Sequence, residues 1–269
     1  MEYFDVLECR VKGCEADFYL NDVPVFRRSE EAGAFAAGPF HELLVAGRNE
    51  LAIVVQPGKS PSAALSGGRA ERRVTGLEAT AEAKVVRYPH GAMIGGDEGV
   101  VLGAIRWESA EHRNPIVFPL VRSSAFERES SEAPWSWEQG AGLTVDEATT
   151  AKALGFVKEL RFSLGLGKPD VFVSAASPRI ADLARAYGHS PEEKREESVQ
   201  WVFGESPGWF FEPLKPAELD LRLCGRNRMV ELVRKDGDPF LRCMPSADGG
   251  QTSFPLYLGN LKGEWLVVL

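Results

Sequence analysis

The sequence predicts an α+β protein: a β-rich N-terminal sandwich-like half, then a C-terminal half of three helices plus an antiparallel sheet. Three observations predict it. Short alternating stretches bounded by turn residues fill the chain up to about residue 125. Three helix-cap signatures fall between Thr144 and Glu193. From Gly208 the strand-and-turn pattern returns, and helices grouped ahead of an antiparallel sheet make an α+β order rather than an alternating one.

In the first half, residues 3–11 alternate loosely until Gly13-Cys14 breaks the run. Residues 17–20 and 23–27 are short strands about a turn at Asn21-Asp22, residue types whose side chains bond the turn backbone. Residues 42–45 and 50–56 flank Ala46-Gly47-Arg48-Asn49, whose composition predicts a hairpin turn. Residues 57–69 form a loop rich in Ser, Gly and Pro. A long strand over 77–88, a loop over 89–99, and strands over 100–108 and 116–122 complete the set. Such spacing suggests a sandwich or a rolled sheet. The predicted domains are residues 1–125, an acidic linker or loop over 126–143, and residues 144–269.

Thr144 and Glu147 have the spacing of a capping box and open a helix to about Leu164, with Val157, Leu160 and Leu164 on its buried face. Ser177-Pro178 reads as a cap followed by proline at the first helical position, and the helix runs to about Tyr187. Ser190-Pro191 with Glu193 repeats the capping box and opens a helix to about Phe203. Strands are then expected over 209–214, 219–224, 229–234, 240–244, 254–258 and 265–269. Turns fall at Gly225-Arg226-Asn227, at residues 235–238, at Asp248-Gly249-Gly250 and at Lys262-Gly263.

The bulk properties exclude several function classes. The N-terminus, Met1-Glu2-Tyr3-Phe4-Asp5, lacks the basic start and apolar run of a signal peptide. No apolar run approaches the roughly 20 residues that a membrane span needs, so a cytoplasmic protein with no membrane partner is expected. Cys9, Cys14, Cys224 and Cys243 are too scattered for zinc and suit buried thiols in a reducing compartment. The net charge of −8 repels phosphate backbones, so no direct nucleic-acid ligand is expected, while basic protein surfaces are attracted.

Motifs that suggest chemistry fail on inspection. Gly204-Glu205-Ser206-Pro207-Gly208 fits G-x-S-x-G, but a helix precedes it and a strand follows, the reverse of a nucleophile elbow. Pro207 also lacks the N–H that an oxyanion hole requires, and no histidine follows His189. Gly95-Gly96-Asp97-Glu98 matches the signature of diguanylate cyclases but lies in a loop between strands. Gly165-Leu166-Gly167-Lys168 lacks the earlier glycine of a phosphate loop and is followed by Pro169 instead of Ser or Thr. His41, His90, His112 and His189 form no ligand pattern and read as surface residues. No catalytic, metal or cofactor residue is expected, and the chain reads as no enzyme. The partner-binding expectation falls on Glu127, Glu129, Glu132, Trp135, Trp137 and Glu138, where acids surround two aromatic anchors. The competing reading is that both tryptophans tuck under the loop and join the two sheets.

Two passages carry a resemblance: Phe18-Tyr19-Leu20-Asn21-Asp22-Val23-Pro24-Val25, and the run from Phe254-Pro255-Leu256-Tyr257 through Lys262-Gly263-Glu264-Trp265. With the layout around them, the chain resembles bacterial immunity proteins that protect a cell from type VI secretion toxins. The resemblance implies tight one-to-one neutralisation of a cognate toxin effector, a basic nuclease acting in the cytoplasm. It carries over no site residue. Two other readings stand beside it. One is a small-molecule or carbohydrate-binding module using Trp107 or Tyr88 as platforms. The other is an enzyme on a nuclear transport factor 2-like cone fold over 144–269.

Overall fold

The computed structural model describes residues 3–28, 33–56, 72–74, 78–111, 116–130, 133–203, 209–235, 237–245 and 251–269. The chain divides into two compact units, Met1–Ala133 and Pro134–Leu269. The fold is α+β as expected, β-rich in the first unit and helices plus sheet in the second.

The first unit contains β1 (Tyr3–Lys12), β2 (Ala16–Leu20), β3 (Val23–Arg28), β4 (Phe35–Pro39), β5 (Gly47–Val55), β6 (Arg72–Val74), β7 (Thr80–Pro89), β8 (Val100–Glu108), β9 (Ile116–Phe118) and β10 (Leu120–Arg128). Two four-stranded antiparallel sheets, in the orders β4-β1-β7-β8 and β10-β5-β2-β3, make up most of it, and β6 pairs with β9. The predicted turn at Asn21-Asp22 is present, both residues lying at positive φ between β2 and β3.

Three expectations are corrected. Residues 46–49 are no hairpin turn: β5 begins at Gly47 and pairs with β10 and β2. The reason is Asn49, fully buried, whose amide bonds Val45 through both its N–H and its carbonyl and also accepts from the Asn21 side chain at 2.8 Å. Secondly, β4 was not expected, because its small residues, Ala36-Ala37-Gly38, carry no alternation. Finally, the acidic linker does not begin at 126. Phe126, Glu127 and Arg128 pair with Asn49, Arg48 and Gly47 in the sheet, and the units divide after Ala133. The expected strand stops at Arg122 because Arg122-Ser123-Ser124 interrupts the apolar pattern, which resumes only at Ala125-Phe126. The loop at 57–69 and the turn at 248–250 lie outside the described residues.

The second unit has four helices among its described residues: α1 (Glu147–Gly165), α2 (Pro169–Ala175), α3 (Ser177–Tyr187) and α4 (Pro191–Phe203). They precede β11 (Leu219–Cys224), β12 (Met229–Arg234), β13 (Leu241–Arg242), β14 (Ser253–Phe254), β15 (Tyr257–Leu261) and β16 (Glu264–Val267). The main sheet runs β11-β12-β15-β16, with β16 on an edge. Val157, Leu160 and Leu164 of α1 meet Val230, Leu232 and Leu258 of the sheet in one apolar core. Where three helices were expected there are four. α2 starts with Pro169 at its first position, a helix-opening placement that the sequence reading used only to dismiss a phosphate loop. Residues 209–214 contribute a single bridge, Phe211 to Cys243, in place of a strand. No helix among the described residues is long and apolar enough to cross a membrane.

Candidate protein interface

The six residues expected to bind a partner do not all reach the surface. Glu127 and Glu129 are exposed and belong to the first unit, and Glu132 lies outside the described residues. Trp135 and Trp137 are only 2% and 1% exposed, so neither can anchor a partner, and the expectation is corrected. Their burial is built locally in the second unit. Glu138 accepts the Trp135 N–H at 2.8 Å, and Asp182 of α3 accepts the Ser136 N–H at 2.7 Å. The Arg185 guanidinium lies 4.1 Å from the centre of the Trp135 ring and donates to Asp182 at 3.2 Å. Burial pushes the Asp182 carboxyl above its ordinary pKa, against the pull of Ser136 and Arg185. Trp135, Ser136 and Glu138 are therefore held in a structural clasp with α3.

The other motifs resolve as follows. The G-x-S-x-G run and His112 lie outside the described residues. His90 and His189 are exposed, but His41 is 5% exposed in a short 3-10 turn, not on the surface. Gly95 sits at positive φ in a turn and gives its N–H to the Tyr88 hydroxyl. Trp107 and Tyr88 are buried, the latter donating to Glu8 at 2.5 Å, so neither is a carbohydrate platform. All four cysteines are buried free thiols, and burial pushes Cys243 up to about 11, which makes it a poor nucleophile. Among the described residues no cluster of His, Cys, Asp and Glu is arranged to hold a metal.

The structure offers a different site, a shallow groove of about 630 Å³ in the second unit, to which α1, α2 and β16 each contribute. In α1, burial of Val157 and Leu160 leaves Phe156 and Glu159 on the flank, one turn apart. In α2, Phe172 and Ala175 are buried, which turns Asp170, Val171 and Ser174 outward. The turn at Lys262 and Gly263, both at positive φ, then sends the edge strand back past the helices with Glu264 and Trp265 on the groove.

The floor is apolar. Phe156 and Trp265 are partly buried against the core, and Val171 is 46% exposed. The rim is acidic, because Glu159, Asp170 and Glu264 are all exposed and the lining includes no cation. None of the three has an ion-pair partner among the described residues, whereas Glu212 in the same unit holds both Arg234 and Arg242. A helix dipole accounts for Asp170 in the first turn of α2, but not for Glu159 in mid-helix or Glu264 on a strand. Phe162, 69% exposed, follows Glu159 one turn along α1. Asp170 also borders a second groove of about 240 Å³ with Val173, Arg195, Glu196 and Val199, where Arg195 is ion-paired to Glu192 at 3.3 Å.

Sequence reasoning missed this groove because its acids lie far apart in the chain. Of the groove residues, Glu264 and Trp265 were singled out beforehand, and then only as part of a resemblance. No family model, no curated protein and no solved structure matches the chain.

Proposed function

We propose that the chain is an immunity-type binding protein of the cytoplasm that neutralises a cognate toxin by tight protein–protein binding, and that it binds through the acidic groove of its second unit. One observation carries the reading: carboxylates with no ion-pair partner among the described residues, around a partly buried apolar floor. Apolar area supplies affinity, while uncompensated acids select a basic partner and speed the encounter. A basic nuclease answers that description, and the net charge of −8 agrees in sign.

Capture of a partner by the tagged chain, followed by expression of that partner in a bacterial host with and without the chain, tests the proposal. The expected result is an equimolar complex and restored growth. A captured basic protein whose toxicity is unchanged by the chain would overturn it.

A further inference from the structure

We infer that the groove receives an arginine side chain of the partner, its guanidinium over Trp265 and within the field of Glu159, Asp170 and Glu264. This rests on the binding role proposed above for the same groove. Three features argue for it.

The first is charge. Three carboxylates without counter-ions among the described residues rim an apolar floor, where a low-dielectric wall strengthens their field. They do not converge closely enough to hold a metal. An anion would be repelled.

The second is shape. A guanidinium is planar and weakly hydrated, so it stacks on an indole face and still donates in its plane to carboxylates. A lysine ammonium is a compact, strongly hydrated charge that matches this combination less well. The methylene stem of an arginine would lie along Phe156 and Val171, burying apolar surface beneath a solvated head.

The third is a precedent inside the same unit. Arg185 lies over Trp135 while donating to Asp182, an arginine held between an indole and a carboxylate. The groove repeats the indole and the carboxylates, with no cation of its own in the lining. A partner would complete there what Arg185 completes at Trp135.

The test uses the full chain with its indole N–H groups followed by nuclear magnetic resonance. The Trp265 signal is assigned by its loss in Trp265→Phe. Three capped tripeptides serve as probes: Leu-Arg-Leu, Leu-Lys-Leu and Leu-citrulline-Leu, the last an uncharged analogue of the first. The expected result is a saturating shift of the Trp265 signal with the arginine peptide, weaker binding of the lysine peptide, and none with citrulline. The double variant Glu159→Gln, Glu264→Gln changes two exposed side chains and should lower affinity for the arginine peptide about tenfold. Equal shifts from the arginine and citrulline peptides, no shift at Trp265, or full affinity in the double variant would each overturn the inference. A toxin neutralised equally well by the double variant would remove the arginine receptacle and leave the immunity reading. Arginine-peptide binding without toxin neutralisation would do the reverse.

Discussion

Asp5 is 2% exposed, on the first strand, with a guanidinium on each carboxylate oxygen. Arg87 donates through Nε at 2.7 Å and through a terminal nitrogen at 3.0 Å, and Arg128 donates through Nε at 2.9 Å. Burial alone would raise the Asp5 carboxyl, but the two arginines together outweigh it and hold it below its ordinary value of 3.8. A folded pKa below the unfolded one means that the folded state binds the proton more weakly. The Asp5 contribution is therefore complete above the unfolded pKa and is lost as pH falls through the folded one. Asp5→Asn removes the buried carboxylate that Arg87 and the 5% exposed Arg128 both hold, and breaking such a buried pair costs about 3–5 kcal/mol. Amide-exchange protection of β1 measured in the full chain should show that gap at pH 7, and a smaller one at a pH well below 3.8. A gap of the same size at both pH values would mean that the lost stability came from packing and not from the ion pair. Nothing in the local sequence marks Asp5 for this role, since Arg87 and Arg128 lie 82 and 123 residues away. Only the pairing of β1 with β7 brings the first of them opposite, as Asp5↔Arg87.

Helix boundaries show how far local chemistry reads through to structure. The box at Ser190 and Glu193 is formed in both directions: the Glu193 carboxylate accepts the Ser190 N–H at 2.8 Å, and the Ser190 hydroxyl accepts the Glu193 N–H at 3.1 Å. The box expected from Thr144 is not formed. Asp146 caps α1, accepting the Thr149 N–H at 2.7 Å, while Thr144 only donates to the Asp146 side chain at 3.1 Å. Ser177 is likewise inside α3, whose cap position is Ala176 with no side-chain bond. In both cases two good cap residues or cap positions lay within a few residues, and spacing alone could not choose between them. The choice has a measurable consequence. Asp146→Ala should destabilise the second unit measurably, and Thr144→Ala much less. Urea unfolding of the two variants compared with the parent chain reads the difference, and the reverse order would place the cap at Thr144. Strand positions were legible where side chains alternate, as in β7, whose inward residues Ala81, Ala83 and Val85 are fully buried. They were illegible where polar residues interrupt the pattern, as at Arg122-Ser123-Ser124 of β10, whose continuation to Arg128 was not expected.

At the scale of the molecule, the α+β order follows from short-range patterns, which is why it was legible. The candidate site is a tertiary object. Glu159, Asp170 and Glu264 come from a mid-helix position, a first helical turn and an edge strand, and no window of sequence contains all three. Composition pointed to residues 127–138 because acids and tryptophans are adjacent there, yet in the fold those tryptophans are enclosed and Trp265 is the one on a groove. Net charge was the only site-related property readable beforehand, and it bears on how a partner would arrive. Of the charges that make up −8, the three on the groove rim are exposed, so their attraction for a basic protein acts through solvent and is screened with a Debye length of about 10 Å at 0.1 M salt and 3 Å at 1 M. The association rate with the captured partner should therefore fall at least tenfold between these two salt concentrations. Dissociation, governed by contacts already formed over Phe156, Val171 and Trp265, should change far less. Stopped-flow mixing at several ionic strengths measures both. In Glu159→Gln, Glu264→Gln the salt dependence of association should flatten, because two of the charges that produce it are gone. If association keeps its full salt dependence in that variant, the steering charges lie elsewhere on the chain, and the partner meets a surface other than this groove.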